Sequence, residues 1–100
     1  MSVAPGPPLV KLRVLVRLKP GIMDVQGTAV GRALVGLGFP DLRELRIGKV
    51  IELEVEAASA ERAGARAEEM CRRLLANPVL EDYAIEIVPH VAAASGGALA

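Results

Sequence analysis

The stretch RIGKVIELEVE, Arg46–Glu56, decides how this chain folds. Ile51, Leu53 and Val55 alternate with Glu52, Glu54 and Glu56, the period-two pattern of a strand with one buried face. The apolar phase does not stop there. Leu45 and Ile47 fall on the same odd positions, so the pattern runs unbroken through Gly48-Lys49. A two-residue hairpin at 48–49 would set Leu45 opposite Glu52 and mix the faces. A three-residue loop at 48–50 would set Ile47 opposite Ile51 and keep them aligned. One long strand bent at Gly48 keeps them aligned too, and its first half then pairs elsewhere, including on another subunit. The residues leave the last two arrangements open.

Residues 9–19 (LVKLRVLVRLK) form a second clean alternation. Val10, Leu12, Val14, Val16 and Leu18 make one face; Lys11, Arg13, Arg17 and Lys19 dominate the other, with Leu15 among them. This basic face and the acidic face of 50–56 fit as cross-strand neighbours, an arrangement worth about 0.2–1 kcal/mol per opposed pair. Asp24 caps a predicted helix over about 25–37, whose apolar positions are Val30, Ala33, Leu34 and Leu37. Gly38 suits the left-handed position after it, and Pro40 prevents continuation. Ser59 caps a second predicted helix over about 60–75, with Ala63, Ala67, Met70 and Leu74 as its buried stripe and Cys71 and Leu75 beside them. A last strand spans about 83–88.

With DLRELRI (41–47) counted as a strand, the order is β-α-β-β-α-β. That is an α+β sandwich of ferredoxin-like type, two helices on one face of an antiparallel sheet, strands two and three optionally one bent strand. The domain covers 9–88. Residues 1–8 (MSVAPGPP) read as a flexible leader, and 89–100, which contain His90, as a flexible tail.

Composition narrows the function. Twelve basic and twelve acidic residues cancel, which argues against a nucleic-acid protein, and aromatics for base stacking are nearly absent. Cys71 is the only cysteine, so a reducing, cytoplasmic setting is expected. No apolar run approaches the roughly 18 residues of a membrane span. A catalytic set is also hard to assemble. His90 is the only histidine and falls in the predicted tail. Cys71 reads as a small core thiol, with no histidine placed to activate it. One His and one Cys do not make a tetrahedral zinc site. Glu52, Glu54 and Glu56 read as a solvated strand face, and Tyr83 as a sheet residue on the core.

Three separated segments carry a resemblance. LKPGIMDVQGTAV (18–30), RIGKVIELEVE (46–56) and EEMCRRLLANPVLEDYAIEI (68–87) together resemble the PurS family, the small subunit of phosphoribosylformylglycinamidine (FGAM) synthase. The likeness runs from about Val10 to Val88. Val25 stands where family members usually carry Pro. The resemblance implies a non-catalytic bridging subunit of a carbon–nitrogen ligase of purine biosynthesis. It would join a large FGAM synthetase subunit to a glutaminase subunit and assist ammonia transfer between them. ATP, Mg and glutamine would be used by those partners, with no cofactor on this chain. Self-association as a dimer or tetramer is implied as well. The candidate partner-binding residues are Arg46, Lys49 and Glu52 around the bend, Asn77 at the helix stop, and Glu81, Asp82 and Tyr83 after it. The alternative from another class is a ferredoxin-like regulatory domain that binds a small molecule, for which Leu15 on the basic face and the gap at Gly48 are the candidate features.

Overall fold

The computed structural model describes residues 8–89; the expected leader and tail, His90 included, fall outside them except for Pro8 and Pro89. The elements are β1 (Leu9–Leu18), α1 (Val25–Gly36), β2 (Lys49–Glu56), α2 (Ala60–Met70), a π-helical turn (Cys71–Leu75) and β3 (Glu81–Ile87). The expected α+β class, two helices with an antiparallel sheet, is the one adopted.

β1 is the centre of a three-stranded sheet of order β2-β1-β3, antiparallel to both neighbours. The register places Lys11 opposite Glu54 and Arg13 opposite Glu52, as the charge pattern of the two strands requires. Arg13 also faces Glu86 on β3, and its guanidinium lies 4.0 Å from the Glu52 carboxylate and 3.7 Å from that of Glu86. Such exposed pairs contribute about 0–1 kcal/mol each. The register is fixed chiefly by the other face, because a one-residue slip would turn Leu12, Val14 and Val16 out into water.

Those three side chains are buried, and α2 lies across them. The helix comes close because Ala63 and Ala67 are its contact residues, both fully buried. Leu12, Val55, Ala63 and Ala67 form one half of the core; Val14, Val16, Cys71 and Ala76 form the other. Ser59 starts α2 as expected, its Oγ accepting the Arg62 N–H at 3.1 Å. The end of α2 corrects the predicted stripe. At the π turn the Ala76 N–H reaches back five residues to the Cys71 carbonyl, at 3.1 Å. The wider turn rotates the following residues. Cys71 stays buried and Leu75 half-buried, but Leu74 swings out to 83% exposure.

The segment 41–47, read as a strand from its alternation, has no strand partner within the chain. The Ile47 N–H goes to the Asp24 carboxylate, and the Arg46 guanidinium takes the Leu18 and Lys19 carbonyls where β1 ends. No hairpin forms at Gly48, so the odd-numbered phase belongs to one continuous extended run whose second half alone joins the sheet. The first half lies along α1, where Leu42 and Leu45 approach Gly31. α1 therefore packs on 42–45, and the helix lying across the strands is α2. Of the apolar positions expected on one face of α1, Leu34 is half-buried and Val30, Ala33 and Leu37 are exposed, with Phe39 beyond them. Gly38 takes φ +109°, the left-handed stop expected after the helix.

Candidate functional site

At the end of the sheet where β1 finishes, a cleft of ≈ 540 Å³ opens on the face turned away from α2. Its floor is set by register. Leu15 is opposite Val50 on β2 and Ala84 on β3, so one apolar row crosses all three strands. Arg17, next on that face of β1, stands opposite Asp82. Arg46, Gly48 and Lys49 form the rim. Gly48 is there because nothing larger fits: a Cβ would come 2.5 Å from the Val16 carbonyl and 3.2 Å from the Arg17 Cβ. The extended run thus presses against the backbone of β1 as it turns into β2.

Asp24 positions this rim. Its Oδ1 accepts the Gly27 N–H at 2.8 Å, the ordinary helix cap. Its Oδ2 accepts the Ile47 N–H at 2.8 Å, from a residue far along the chain. One carboxylate therefore ties the start of α1 to the run that leads into β2. The hydrogen bonds from Ile47 and then Gly27 hold its pKa below the ordinary 3.8, with the nearby Arg46 charge acting in the same direction. A carboxylate whose pKa is lowered on folding stabilises the fold above its unfolded pKa, and loses that contribution as pH falls through the folded value. Asp24→Asn keeps one acceptor and loses the other. Its urea midpoint is expected below that of the wild type at neutral pH, and the gap narrows as the pH falls through the lowered folded pKa of Asp24. Equal midpoints at pH 7 would show that the tie contributes nothing.

The structure brings Arg46, Lys49, Asp82 and Tyr83 together around the cleft. Asp82 turns its carboxylate to the Lys19 ammonium, 3.8 Å away. Tyr83 contributes to the wall, while its hydroxyl, on the α2 side, donates to Glu68 Oε1 at 2.5 Å. That bond to a carboxylate, and then burial, raise the phenol's pKa. Glu52 sits on the same sheet face beside Arg13, outside the cleft lining. Asn77 and Glu81 are tied to each other in the turn before β3: the Asn77 N–H donates to Glu81 Oε1 at 2.8 Å, and Asn77 Oδ1 accepts the Val79 N–H at 2.9 Å. Their contacts are those of a turn. Sequence reasoning missed Arg17, Val50 and Ala84 as cleft residues. The register would have found them, since each is the cross-strand neighbour or next same-face position to Leu15.

Cys71 is buried under α2, and that burial, followed by the charge of Glu68, raises its thiol pKa, the opposite of an activated nucleophile. No group of metal-ligating side chains occurs among the described residues, and no helix there is long and apolar enough to cross a membrane. What the arrangement offers is surface: a cationic cleft with an apolar floor, and an α1 arm with its apolar side open.

Comparison with known proteins gives a consistent result. The family model PurS, phosphoribosylformylglycinamidine (FGAM) synthase, matches residues 11–89. The chain is 39% identical over 77 residues to the phosphoribosylformylglycinamidine synthase subunit PurS of Methanocaldococcus jannaschii, covering 77% of this chain and 93% of that one. It is 40% identical over 82 residues to the same subunit of Bacillus subtilis, covering 82% and 96%. Among solved structures, a chain of PurLQS from Thermotoga maritima superposes with a TM-score of 0.76 at 34% identity, covering 81% of this chain and 99% of that one.

Proposed function

The chain belongs to the PurS family of phosphoribosylformylglycinamidine synthase, and on that premise we propose that it is the non-catalytic bridging subunit of such an enzyme. It joins a glutaminase subunit to an ATP-dependent synthetase subunit and assists the passage of ammonia from one to the other in purine biosynthesis, in the cytoplasm. The partners use ATP, Mg and glutamine; this chain contributes docking surfaces. Arg46, Lys49, Glu52, Asn77, Glu81, Asp82 and Tyr83 are the residues proposed to meet them. The observation that carries this reading is the α1 arm. A chain that served only itself would fold Val30, Leu37 and Phe39 inward, and here all three face solvent. Several large apolar side chains exposed on one short segment are the kind of surface that protein association covers. We assign the arm to self-association as a dimer or tetramer, which would give the bridge its span.

The test is reconstitution from three purified subunits of one organism. Glutamine-dependent FGAM formation is expected to require this chain. Ammonia-dependent formation by the synthetase subunit alone is expected to persist without it. Full glutamine-dependent turnover with the small subunit left out would remove the bridging role.

A further inference from the structure

The outer face of the sheet is divided along β1. In its first half, Lys11 and Arg13 are answered by Glu54, Glu52 and Glu86 from the flanking strands. Past the Val50–Leu15–Ala84 row the balance changes. Arg17 projects from this face, and Arg46 and Lys49 line the cleft from the run that enters β2, Lys49 standing opposite Val16 at the strand end rather than on the outer face; Asp82 is the single carboxylate of the lining. That carboxylate is engaged by Lys19, which does not line the cleft. Among the described residues, neither Arg17 nor Lys49 takes part in an ion pair, and both are exposed. On a chain of net charge zero, the cleft therefore carries local positive charge beside open apolar surface. Val50, in the floor, is 56% exposed.

We propose that this cleft seats an acidic segment of one of the two partner subunits. An apolar side chain of the segment rests on Leu15, Val50 and Ala84, and its carboxylates are met by Arg17 and Lys49. Charge complementarity selects this occupant: cations left unanswered within a neutral chain favour an anionic partner and reject a basic one. A nucleic acid fits poorly, because stacking needs aromatic faces and the only aromatic residue of the lining, Tyr83, is bonded to Glu68 on the α2 side. Asp24 enters as a positioning residue. By holding the Ile47 N–H it fixes the run that carries Arg46 and Lys49 against β1.

The proposal rests on the bridging reading, and the experiment separates the two. The dissociation constant of this chain for each purified partner subunit is measured by interferometry at low and high salt. Arg17→Glu/Lys49→Glu is expected to weaken one partner by about 30-fold or more and to flatten its salt dependence. Glu56→Lys, at the far end of the same face, is expected to change either affinity by no more than about 3-fold. Both substituted positions of the double variant are exposed, so its melting curve is expected to match the wild type; if it does not, Arg17→Gln/Lys49→Gln carries the test. Wild-type affinity of the charge-reversed chain for both partners overturns the cleft proposal and leaves the bridging role standing. If the wild type binds neither partner, both fall. A lost dimer in the double variant alone, seen by light scattering, would assign the cleft to a second copy instead. Stabilisation of the wild type by glutamine or ATP that the double variant lacks would assign it to a small molecule. Either outcome overturns the proposal.

Discussion

Leu12→Ala is expected to lower stability by about 2–5 kcal/mol and the Tm by roughly 10–25 °C. Leu12 is 1% exposed and sits in the half of the core built with Ala63, Ala67 and Val55. Its neighbours explain the size of the effect. Ala63 and Ala67 bring α2 close to the sheet but supply little volume, so Leu12 provides much of the packing between them and Leu53, Met70 and Ile85, and its truncation leaves a cavity there. A domain of this size holds about 5–15 kcal/mol in all. Val50→Ala, on the opposite face of the same sheet, is the control and is expected to cost no more than about 0.5 kcal/mol. Urea and thermal unfolding of both variants check this. A loss at Leu12 no larger than that at Val50 would mean that α2 is not held by the packing described.

The second large effect concerns the arm. Leu37→Asp/Phe39→Asp is expected to leave the circular dichroism of the chain close to that of the wild type while abolishing self-association. Leu37 is 75% exposed and Phe39 53% exposed, so neither supports the protomer's own core. Covering a large apolar side chain is worth about 1.5–3 kcal/mol. Two such losses correspond to a dissociation constant raised about 10²–10⁴-fold. Light scattering across a concentration series reads the change. A wild type that stays monomeric at every concentration, or a variant of unchanged mass, would remove the arm from the interface.

The alternation of β1 and β2 was legible because period two is a local signal. Their pairing was legible because a basic face and an acidic face had one sensible arrangement, and Arg13 does stand opposite Glu52. For the 41–47 segment the phase was legible and the pairing was not, for a physical reason. Alternation reports which side chains want cover; it does not report which strand supplies it. Leu45 and Ile47 obey the pattern, yet the Ile47 N–H is taken by Asp24 and Leu45 approaches Gly31. Leu74 failed for another reason: the π turn adds a residue that a 3.6-residue stripe does not anticipate. Gly48 was visible as a glycine in a strand pattern, but the reason for it, the nearby Val16 carbonyl, lies in another element. The same holds for the cleft. Leu15 was conspicuous on a basic face, whereas Arg17, Val50 and Ala84 become its companions only through register.

The order β2-β1-β3 has a consequence for how the chain is made. The strand synthesised first is the one that needs both of the others. Leu12 pairs with Leu53 on one side and with Ile87 on the other, so the inner strand keeps one bare edge until nearly all the described residues exist. Early folding is left with α1 and the β1–β2 pair, and a lone two-stranded ribbon is marginal in water. Contacts spanning that much chain also slow folding. The newborn chain therefore passes through a stage when β1 is open to any strand that meets it, its own or that of another copy.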